Sequence, residues 1–356
     1  MPEHDRHGRL VYFAYPGDLD TPTGGYGYDR RIITGLRDAG WDVELVQLGD
    51  GFPSPTGETI EKAGRRLNSL PQGSRVIVDG LAFGVLAEAA ASASEKVELI
   101  ALVHHPLCKE NGIDAATANA LEESERAALN FARRVIVTSS ATGVQVRDLF
   151  KVPEDRLHVV EPGTDRSREN VYRDEGQVCL LSVGTIVHRK GYDLLFEALS
   201  DLRAYDWHLN VVGDTSRDEG CFSQLLAQLR KLSLVDHVSF HGAVDAAKLS
   251  RLYAAADVFV LASRYEGYGM AFTEALSHGL PVIGSGAGAV EETLARDGAI
   301  YCGVEDVGQL RGALEKLLKN ADERKKLGMA AWASSKALPT WDDAAIAFAG
   351  VLELDS

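Results

Sequence analysis

The sequence predicts an α/β fold made of two doubly wound, Rossmann-like domains, and three observations support this prediction. The chain has 356 residues, which is more than one compact core usually holds. Short apolar runs alternate with longer helix-like stretches, as in a buried parallel sheet with helices on both faces. The polar, turn-rich stretch 162–177 interrupts this alternation, which then restarts.

The first half of the chain contains the first set of predicted strands and helices. The apolar runs predicted as strands are 10–15, 43–46, 75–78, 97–103, 135–138 and 157–160. The helix-like segments between them are 27–39, 57–70, 81–93, 115–131 and 140–150. This half is predicted to form an N-terminal domain over residues 1–161.

The second half repeats the pattern after the linker 162–177. The predicted strands are 178–184, 209–213, 238–241, 258–262, 281–284 and 299–302. The predicted helices are 191–203, 220–234, 246–255, 269–278, 288–296, 306–318 and 321–337. We therefore predict a second domain over 178–340 and a final helical segment over 341–356, with its helix near 341–353.

Composition excludes several classes of protein. The net charge is −15 and no basic stripe is visible, which argues against nucleic acid as a partner. No apolar run is long enough to span a bilayer, and the polar N-terminus lacks the apolar core of a signal peptide. The four cysteines are scattered, as expected of reduced thiols in a cytoplasmic protein.

The segment Glu266-Gly-Tyr-Gly-Met-Ala-Phe-Thr-Glu274 follows the predicted strand 258–262 and enters a helix. Ligands of open α/β sheets bind beyond the carboxyl ends of the strands. Gly267 and Gly269 leave backbone amides bare at a helix N-terminus, and such a terminus attracts anions. Taken alone, the two glutamates could equally be a helix-capping carboxylate and a surface residue.

A basic pair, Arg189 and Lys190, follows the first strand of the second half and precedes a helix. A guanidinium beside an ammonium is suited to hold a pyrophosphate. A solvated basic pair is the alternative, but cations at a helix N-terminus oppose the helix dipole.

The two glutamates separated by seven residues are followed by Ala-Leu-Ser-His-Gly-Leu-Pro-Val. This arrangement resembles glycosyltransferase family 4, the group-1 retaining glycosyltransferases. The resemblance implies a GT-B fold, with two Rossmann-like domains facing a central cleft and a C-terminal helix that crosses back to the first domain. It also implies that Glu266 contacts the donor sugar and that Glu274 holds the ribose hydroxyls. The backbone amides that would face the sugar and phosphates belong to Gly267, Tyr268, Gly269 and Met270.

Other positions take their roles from the same resemblance. Thr185 stands where the family usually has an arginine, so Arg189 is assigned as the cation that acts with Lys190 on the diphosphate. Asp214 ends a strand as in the family's Gly-Asp turn, and His241 lies in the loop that lines the nucleobase. Each of these two could also be ordinary turn chemistry.

The first half contributes a glycine pair and a histidine pair. Gly24 and Gly25 lie after the first strand, where the family's glycines reach the donor phosphates; they form neither Gly-x-Gly-x-x-Gly nor a P-loop. His104 ends the fourth strand and aligns with the family's active-site histidine, with His105 as the alternative. His105 and Glu110 are also candidates for acceptor binding.

The resemblance implies a retaining sugar transfer from a nucleotide diphosphate sugar to a carbohydrate or other hydroxyl acceptor, in glycan, polysaccharide or glycoconjugate biosynthesis. A UDP-sugar is favoured over a GDP- or ADP-sugar, and the catalytic residues are His104, Lys190, Arg189 and Glu266. No cofactor is expected. No Asp-x-Asp motif or His/Cys cluster indicates a metal, so the reaction is predicted to be metal-independent.

Several alternatives remain. A nucleotide-sugar epimerase, a phosphorylase or a non-catalytic nucleotide-sugar-binding partner protein would use the same scaffold. An NAD-dependent oxidoreductase is weakly supported, because the glycine fingerprint is missing. Peripheral membrane contact through 58–70 is not favoured, since glutamates dilute its basic face.

Overall fold

The computed structural model describes residues 9–110, 112–167 and 176–354. The chain forms two compact units, one of Met1–Gly163 with Trp341–Ser356 and the other of Thr164–Thr340. Within the described ranges each unit has a six-stranded sheet, and the paired strands run parallel. The part of the predicted linker at 168–175 lies outside the described residues.

The sheet of the first unit has the strand order β2-β1-β3-β4-β5-β6. Its strands are β1 (Leu10–Tyr15), β2 (Asp42–Gln47), β3 (Arg75–Asp79), β4 (Glu98–Val103), β5 (Arg134–Val137) and β6 (Leu157–Val159). The helices are α1 (Gly24–Asp38), α2 (Gly57–Asn68), α3 (Gly80–Phe83), α4 (Ala87–Ser94), α5 (Ala115–Leu129) and α6 (Ser140–Phe150). The alternation of strands and helices therefore matches the sequence prediction.

Burial on both faces explains why the strands of this sheet are apolar. Val76 and Val78 of β3 belong to one hydrophobic core, whereas Ile77 between them belongs to another. Successive side chains of a strand point to opposite faces, so a strand between two helical layers needs apolar residues at every position.

Two predicted helices of the first unit, 81–93 and 27–39, differ most from the structure. The structure has α3 and α4 in place of one helix over 81–93; a Cβ added at the intervening Gly84 would lie 2.6 Å from Leu107 Cδ1. Helix α1 begins at Gly24, three residues before the predicted 27, because the Thr23 side chain accepts a hydrogen bond from the Tyr26 amide.

The sheet of the second unit has the order β14-β12-β10-β7-β8-β9. Its strands are β7 (Val178–Val183), β8 (Trp207–Val212), β9 (Val238–Phe240), β10 (Val258–Leu261), β12 (Val282–Gly284) and β14 (Ala299–Tyr301). A separate pair, β11 (Tyr265–Glu266) and β13 (Ala287–Gly288), was not predicted. The helices are α7 (Tyr192–Ser200), α8 (Glu219–Lys231), α9 (Ala246–Ala255), α10 (Met270–Ser277), α11 (Val290–Leu294), α12 (Val307–Lys319) and α13 (Ala321–Ser335).

The last helix, α14 (Trp341–Glu353), packs in the first unit, as the predicted fold class requires. Ala344, Phe348 and Leu352 are buried in the core that α1 shares. Gly35 of α1 lies so close that an added Cβ would be 2.4 Å from the Cβ of Ala345. Among the residues that the structure describes, no helix is long and apolar enough to cross a membrane.

The close approach of α1 and α14 gives a matched test. Both Gly35→Ala and Gly27→Ala gain helix propensity in α1, but an added Cβ at Gly27 meets no atom within 4 Å. We expect Gly27→Ala to stabilise the protein by up to about 1 kcal/mol and Gly35→Ala to destabilise it by about 1–3 kcal/mol. Urea unfolding of both variants measures the difference, and equal stability would show that the helices do not pack this closely.

Candidate functional site

Three loops of the second unit meet beyond the carboxyl ends of β7, β10 and β12, which are neighbours in the sheet. Backbone hydrogen bonds join them directly. The Arg264 amide donates to the Arg189 carbonyl at 2.7 Å, and the Ala287 amide donates to the Arg264 carbonyl at 2.9 Å. The Ala289 amide donates to the Glu266 carbonyl, also at 2.9 Å. The loops therefore form one framework that holds the functional side chains.

Glycines allow these loops to approach each other backbone to backbone. An added Cβ at Gly191, whose φ is +61°, would lie 1.9 Å from the Ala262 carbonyl oxygen. At Gly288, with φ +76°, it would lie 2.2 Å from the Glu266 carbonyl oxygen. Any other residue at these positions would both strain the backbone and separate the loops.

Glu266 is the centre of this site. Its side chain is 7% exposed, and Lys190 Nζ lies 2.6 Å from its Oε1. Arg189 Nη1 lies 3.2 Å from its Oε2 and also donates to the Tyr265 carbonyl at 2.7 Å. The Ser263 hydroxyl donates to Oε1 at 2.5 Å. All three charged residues were predicted from the sequence as site residues, and the structure brings them together.

The two cations keep the Glu266 carboxyl ionised. Burial alone would raise its pKa, but the charges of Lys190 and Arg189, with hydrogen bonds from Lys190 and Ser263, lower the pKa to about 2. The cluster thus contains two cations and one carboxylate in a setting largely removed from solvent.

Arg264 fixes the loop that carries the basic pair. Its guanidinium contacts both carboxylate oxygens of Asp193 at 2.8 and 2.7 Å, and it donates to the His188 carbonyl at 2.8 Å. Its Nε donates to Glu305 at 2.6 Å. This bidentate arrangement anchors the turn His188–Lys190 to the following helix α7.

The predicted amide segment lies where β11 leads into α10. Gly267, Tyr268 and Gly269 connect the two elements, and Met270 begins the helix. Gly269 has φ +92°, and an added Cβ there would be 2.6 Å from the Phe272 ring. The first amides of a helix have no intrahelical acceptor, so this turn suits an anion.

Glu274 lies one turn further along α10, as the sequence predicted. Its Oε2 accepts a hydrogen bond from the Tyr253 hydroxyl of α9 at 2.9 Å. Tyr253 could not be identified from the sequence, because nothing in the spacing of 253 and 274 shows that α9 and α10 place them in contact.

Asp214 and His241 follow β8 and β9. The Asp214 carbonyl accepts from the Ile186 amide at 2.9 Å, which ties it to the loop after β7, while its carboxylate accepts from Ser216. His241 Nε2 lies 2.8 Å from Asn210 Oδ1. These contacts fix the two side chains without showing what they bind, so their ligand roles stay predictions.

In the first unit, the glycine pair and His104 meet. Gly24 and Gly25 form the first turn of α1, just before the predicted helix start at 27. An added Cβ at Gly25 would lie 3.3 Å from His104 Cδ2, so the helix start touches the imidazole. The Tyr28 ring packs edge-on against His104, with centroids 5.4 Å apart.

Two aspartates beside His104 were missed by the sequence analysis. His104 Nε2 lies 3.1 Å from Asp29 Oδ1 and 3.8 Å from Asp79 Oδ2, and the side chains of both aspartates are almost fully buried. Among the described residues, these three offer ligand atoms within 4.8 Å of one another, so the group could hold a metal ion. In the same described ranges, Asp29 Oδ2 has no hydrogen-bond partner. The predicted metal independence stays a prediction.

The two aspartates favour their protonated forms. Burial raises the pKa of Asp29 to about 7, and burial together with the Asp29 charge raises the pKa of Asp79 to about 8. Burial also lowers the pKa of His104, which favours a neutral imidazole. The group therefore holds protons that isolated carboxyls would release.

His105 lies next to His104 but has a different partner. Its Nε2 is 3.0 Å from Glu110 Oε2, so the two predicted acceptor-binding residues contact each other. His104 contacts the buried aspartates instead, which distinguishes the surroundings of the two histidines.

Both halves of the chain match known protein families. A family described as Glycosyl transferases group 1 matches residues 163–332, and one described as Glycosyltransferase Family 4 matches residues 30–168. The chain is 28% identical to the MMP alpha-(1->4)-mannosyltransferase of Mycolicibacterium hassiacum over 249 residues, covering 65% of this chain and 59% of that protein. It is 33% identical to the mannosylfructose-phosphate synthase of Agrobacterium fabrum over 152 residues, or 38% of this chain and 33% of that one. The chain thus spans less than two thirds of the length of these relatives.

Solved structures resemble the chain over nearly its whole length. The sucrose-phosphate synthase of Thermosynechococcus elongatus superposes with a TM-score of 0.80 at 19% identity, covering 96% of this chain and 98% of that one. HepE of Anabaena, solved in complex with UDP and glucose, superposes with a TM-score of 0.74 at 16% identity, covering 97% of this chain and 100% of that one. At such identities the likeness shows the fold, and it confirms the predicted GT-B fold class.

The acid pair beside His104 predicts a pH effect on stability. Burial raises the folded-state pKa of Asp29 from 3.8 to about 7. The protonated carboxyl therefore contributes its full stability below about pH 3.8, and this contribution is lost as the pH rises from there to about 7. An asparagine side chain at this position has no such proton to lose. As the pH rises from about 4 to about 7, the free energy of unfolding of Asp29→Asn should therefore increase relative to that of the wild type by about 2–4 kcal/mol.

Urea unfolding across this pH range measures the effect. Asp38→Asn, at an exposed position near the end of the same helix, is the control and should show no comparable gain. A difference between Asp29→Asn and the wild type that stays constant with pH would contradict the assignment.

Proposed function

Because the chain belongs to the group 1 glycosyl transferase family, we propose that it transfers a sugar from a nucleoside diphosphate sugar to an acceptor hydroxyl. We propose that the transfer retains the anomeric configuration, needs no metal ion and serves glycan or glycoconjugate synthesis. The observation that carries the proposal is the buried cluster of Arg189, Lys190 and Glu266.

This cluster is suited to a diphosphate. Two cations contact one carboxylate in a largely buried setting, although the whole chain carries −15. Charges act more strongly where water is largely excluded, and preorganised cations need little rearrangement when negative charge develops on the leaving diphosphate. We assign Lys190 and Arg189 to neutralise that charge.

The glutamates and the helix start complete the proposed donor site. We assign Glu266 to a hydroxyl of the donor sugar and Glu274 to the ribose. The amides from Gly267 to Met270 would face the sugar and phosphates, since the N-terminus of α10 favours negative charge. Asp214 and His241 are assigned to the nucleotide.

The first unit contributes the proposed active-site histidine. We assign this role to His104 and not to His105, because His104 is oriented by Asp29 and contacts Gly25 at the start of α1. A histidine whose ring is held by a buried carboxyl group has a fixed orientation. We keep Gly24 and Gly25 as donor-phosphate contacts, and His105 with Glu110 as acceptor contacts.

The donor and acceptor are proposed at the level of chemical class. We favour a UDP-sugar, with GDP- and ADP-sugars as the alternatives, and a carbohydrate or other hydroxyl acceptor. One relative is named as a mannosyltransferase, so mannose donors are the first to test. We place the reaction in the cytoplasm, where the four thiols would stay reduced.

The donor nucleotide can be identified before any acceptor is known. A ligand that binds only the folded state raises stability by about 2.7 kcal/mol at a hundredfold excess over its dissociation constant. A thermal-shift comparison of UDP, GDP and ADP should give the largest rise with UDP. Hydrolysis or transfer of the matching UDP-hexoses then provides the activity assay.

Removing one cation tests the assignment of the cluster. Lys190→Ala should lower kcat/KM about 100-fold or more, as the loss of one preorganised donor to a developing negative charge typically does. The control is Lys316→Ala, which removes an exposed lysine paired with Glu323 in the same unit and should leave activity unchanged. Circular dichroism verifies that both variants are folded.

Undiminished turnover of a folded Lys190→Ala variant would show that the site is assigned wrongly. Conversion of the nucleotide sugar into a different nucleotide sugar, without release of the nucleoside diphosphate, would indicate an epimerase. A strict need for inorganic phosphate would indicate a phosphorylase. Binding of the nucleotide sugar without turnover would indicate a non-catalytic binding protein.

A further inference from the structure

Tyr253 is a buried tyrosine whose hydroxyl contacts a residue of the proposed donor site. It lies on α9 and is 2% exposed, and its hydroxyl donates to Glu274 Oε2 at 2.9 Å. The motif that identified Glu274 does not include Tyr253, which lies 21 residues earlier in the chain.

The Tyr253 ring is fixed by its neighbours. The His278 ring stacks on it with a centroid distance of 4.6 Å and an interplanar angle of 16°. The Phe259 ring lies parallel to it within 23°, at 6.1 Å. His278 is itself held at the end of α10, with Nδ1 2.9 Å from the Glu274 carbonyl oxygen. The tyrosine hydroxyl therefore has a single well-defined position beside the glutamate.

We propose that Tyr253 is a positioning residue that orients the Glu274 carboxylate to receive the two ribose hydroxyls of the donor nucleotide. The inference rests on the proposed function, because it takes the ligand of Glu274 to be a ribose. Tyr253 does not contact the nucleotide; it acts through the glutamate.

The physical basis is the flexibility of a glutamate side chain. An unrestrained glutamate has several rotamers, and it must give up that freedom when it binds a ligand. A hydrogen bond to one carboxylate oxygen removes most of this freedom beforehand, and a bond to a charged acceptor in a buried setting is stronger than a neutral one. The diol of a ribose then meets a carboxylate that is already in place.

The tyrosine also remains a donor throughout the working pH range. Burial, and then the negative charge of Glu274, raises the pKa of the Tyr253 phenol well above its ordinary value. The hydroxyl keeps its proton, so the orientation of Glu274 does not depend on pH near neutrality.

The consequence is selectivity for ribonucleotides. Part of the affinity for UDP should come from the ribose hydroxyls, and this part should depend on both Glu274 and Tyr253. The remainder, from base and phosphates, should depend on neither. A nucleotide without the hydroxyls separates the two contributions, which gives a double-mutant cycle between protein and ligand.

The experiment measures the affinities of UDP and 2′,3′-dideoxy-UDP by titration calorimetry. We expect Tyr253→Phe, which keeps the stacked ring, to bind UDP about tenfold more weakly. This is the size of effect that the loss of one hydrogen bond to a charged group typically has. Its affinity for dideoxy-UDP should equal that of the wild type. Glu274→Gln should show the same pattern. In turnover, Tyr253→Phe should raise the donor KM more than it lowers kcat.

Tyr205→Phe is the matched control, because it removes another tyrosine–glutamate hydrogen bond, 3.1 Å to Glu315, in the same unit. It should bind both ligands like the wild type. Equal weakening of both ligands by Tyr253→Phe, or no weakening of UDP, would overturn the inference. A wild type that binds none of UDP, GDP and ADP would instead overturn the proposed function, and the inference with it.

Discussion

The arrangement of the second unit depends on one buried carboxylate. Arg189 and Lys190 are adjacent in the chain and project into a largely buried space, where two like charges would repel each other and lose hydration. Glu266 contacts both, and its own position is fixed by Ser263 and by the pairing of β11 with β13. Removing one partner of such a buried pair typically costs about 3–5 kcal/mol. The contacts that hold the two cations in position therefore also stabilise the three loops.

The first unit shows the opposite electrostatic arrangement. Glu266 stands among two cations and stays ionised, whereas Asp29 and Asp79 stand beside each other and keep their protons. Environments that shift carboxyl pKa values in opposite directions are typical of functional sites. They allow one carboxyl to stay charged and another to stay neutral at the same pH. Each unit therefore contributes a distinct chemical setting, built on the same type of parallel sheet.

Local patterns of the sequence were sufficient to predict the fold class and the strands of both sheets. A buried strand is a continuous apolar run, and this signal does not depend on distant residues. Glu266 and Glu274 were selected as candidate site residues as well, because they form a recognisable motif beside Gly267 and Gly269. The start of α1 was missed, since the cap at Thr23 lies before two glycines that resemble a loop.

The partners of the predicted residues could not be found in the same way. Asp29 and Asp79 are 75 and 25 residues from His104, and only the parallel order of β1, β3 and β4 brings their elements together. The contact of Tyr253 with Glu274 depends similarly on the packing of two helices. These contacts have no local signal, and single-sequence patterns report local periodicity alone.

The ionisation of Glu266 tests the account most directly. Carbon-13 labelling of glutamate carboxyls and an NMR titration, with the Glu266 signal assigned by its loss in Glu266→Gln, would measure its pKa in the folded protein. We predict that the signal stays that of a carboxylate down to the lowest pH at which the protein remains folded, consistent with a pKa of about 2. We also predict that Lys190→Ala shifts the titration upward. A pKa near the ordinary 4.5 in the wild type, unchanged by Lys190→Ala, would contradict both predictions.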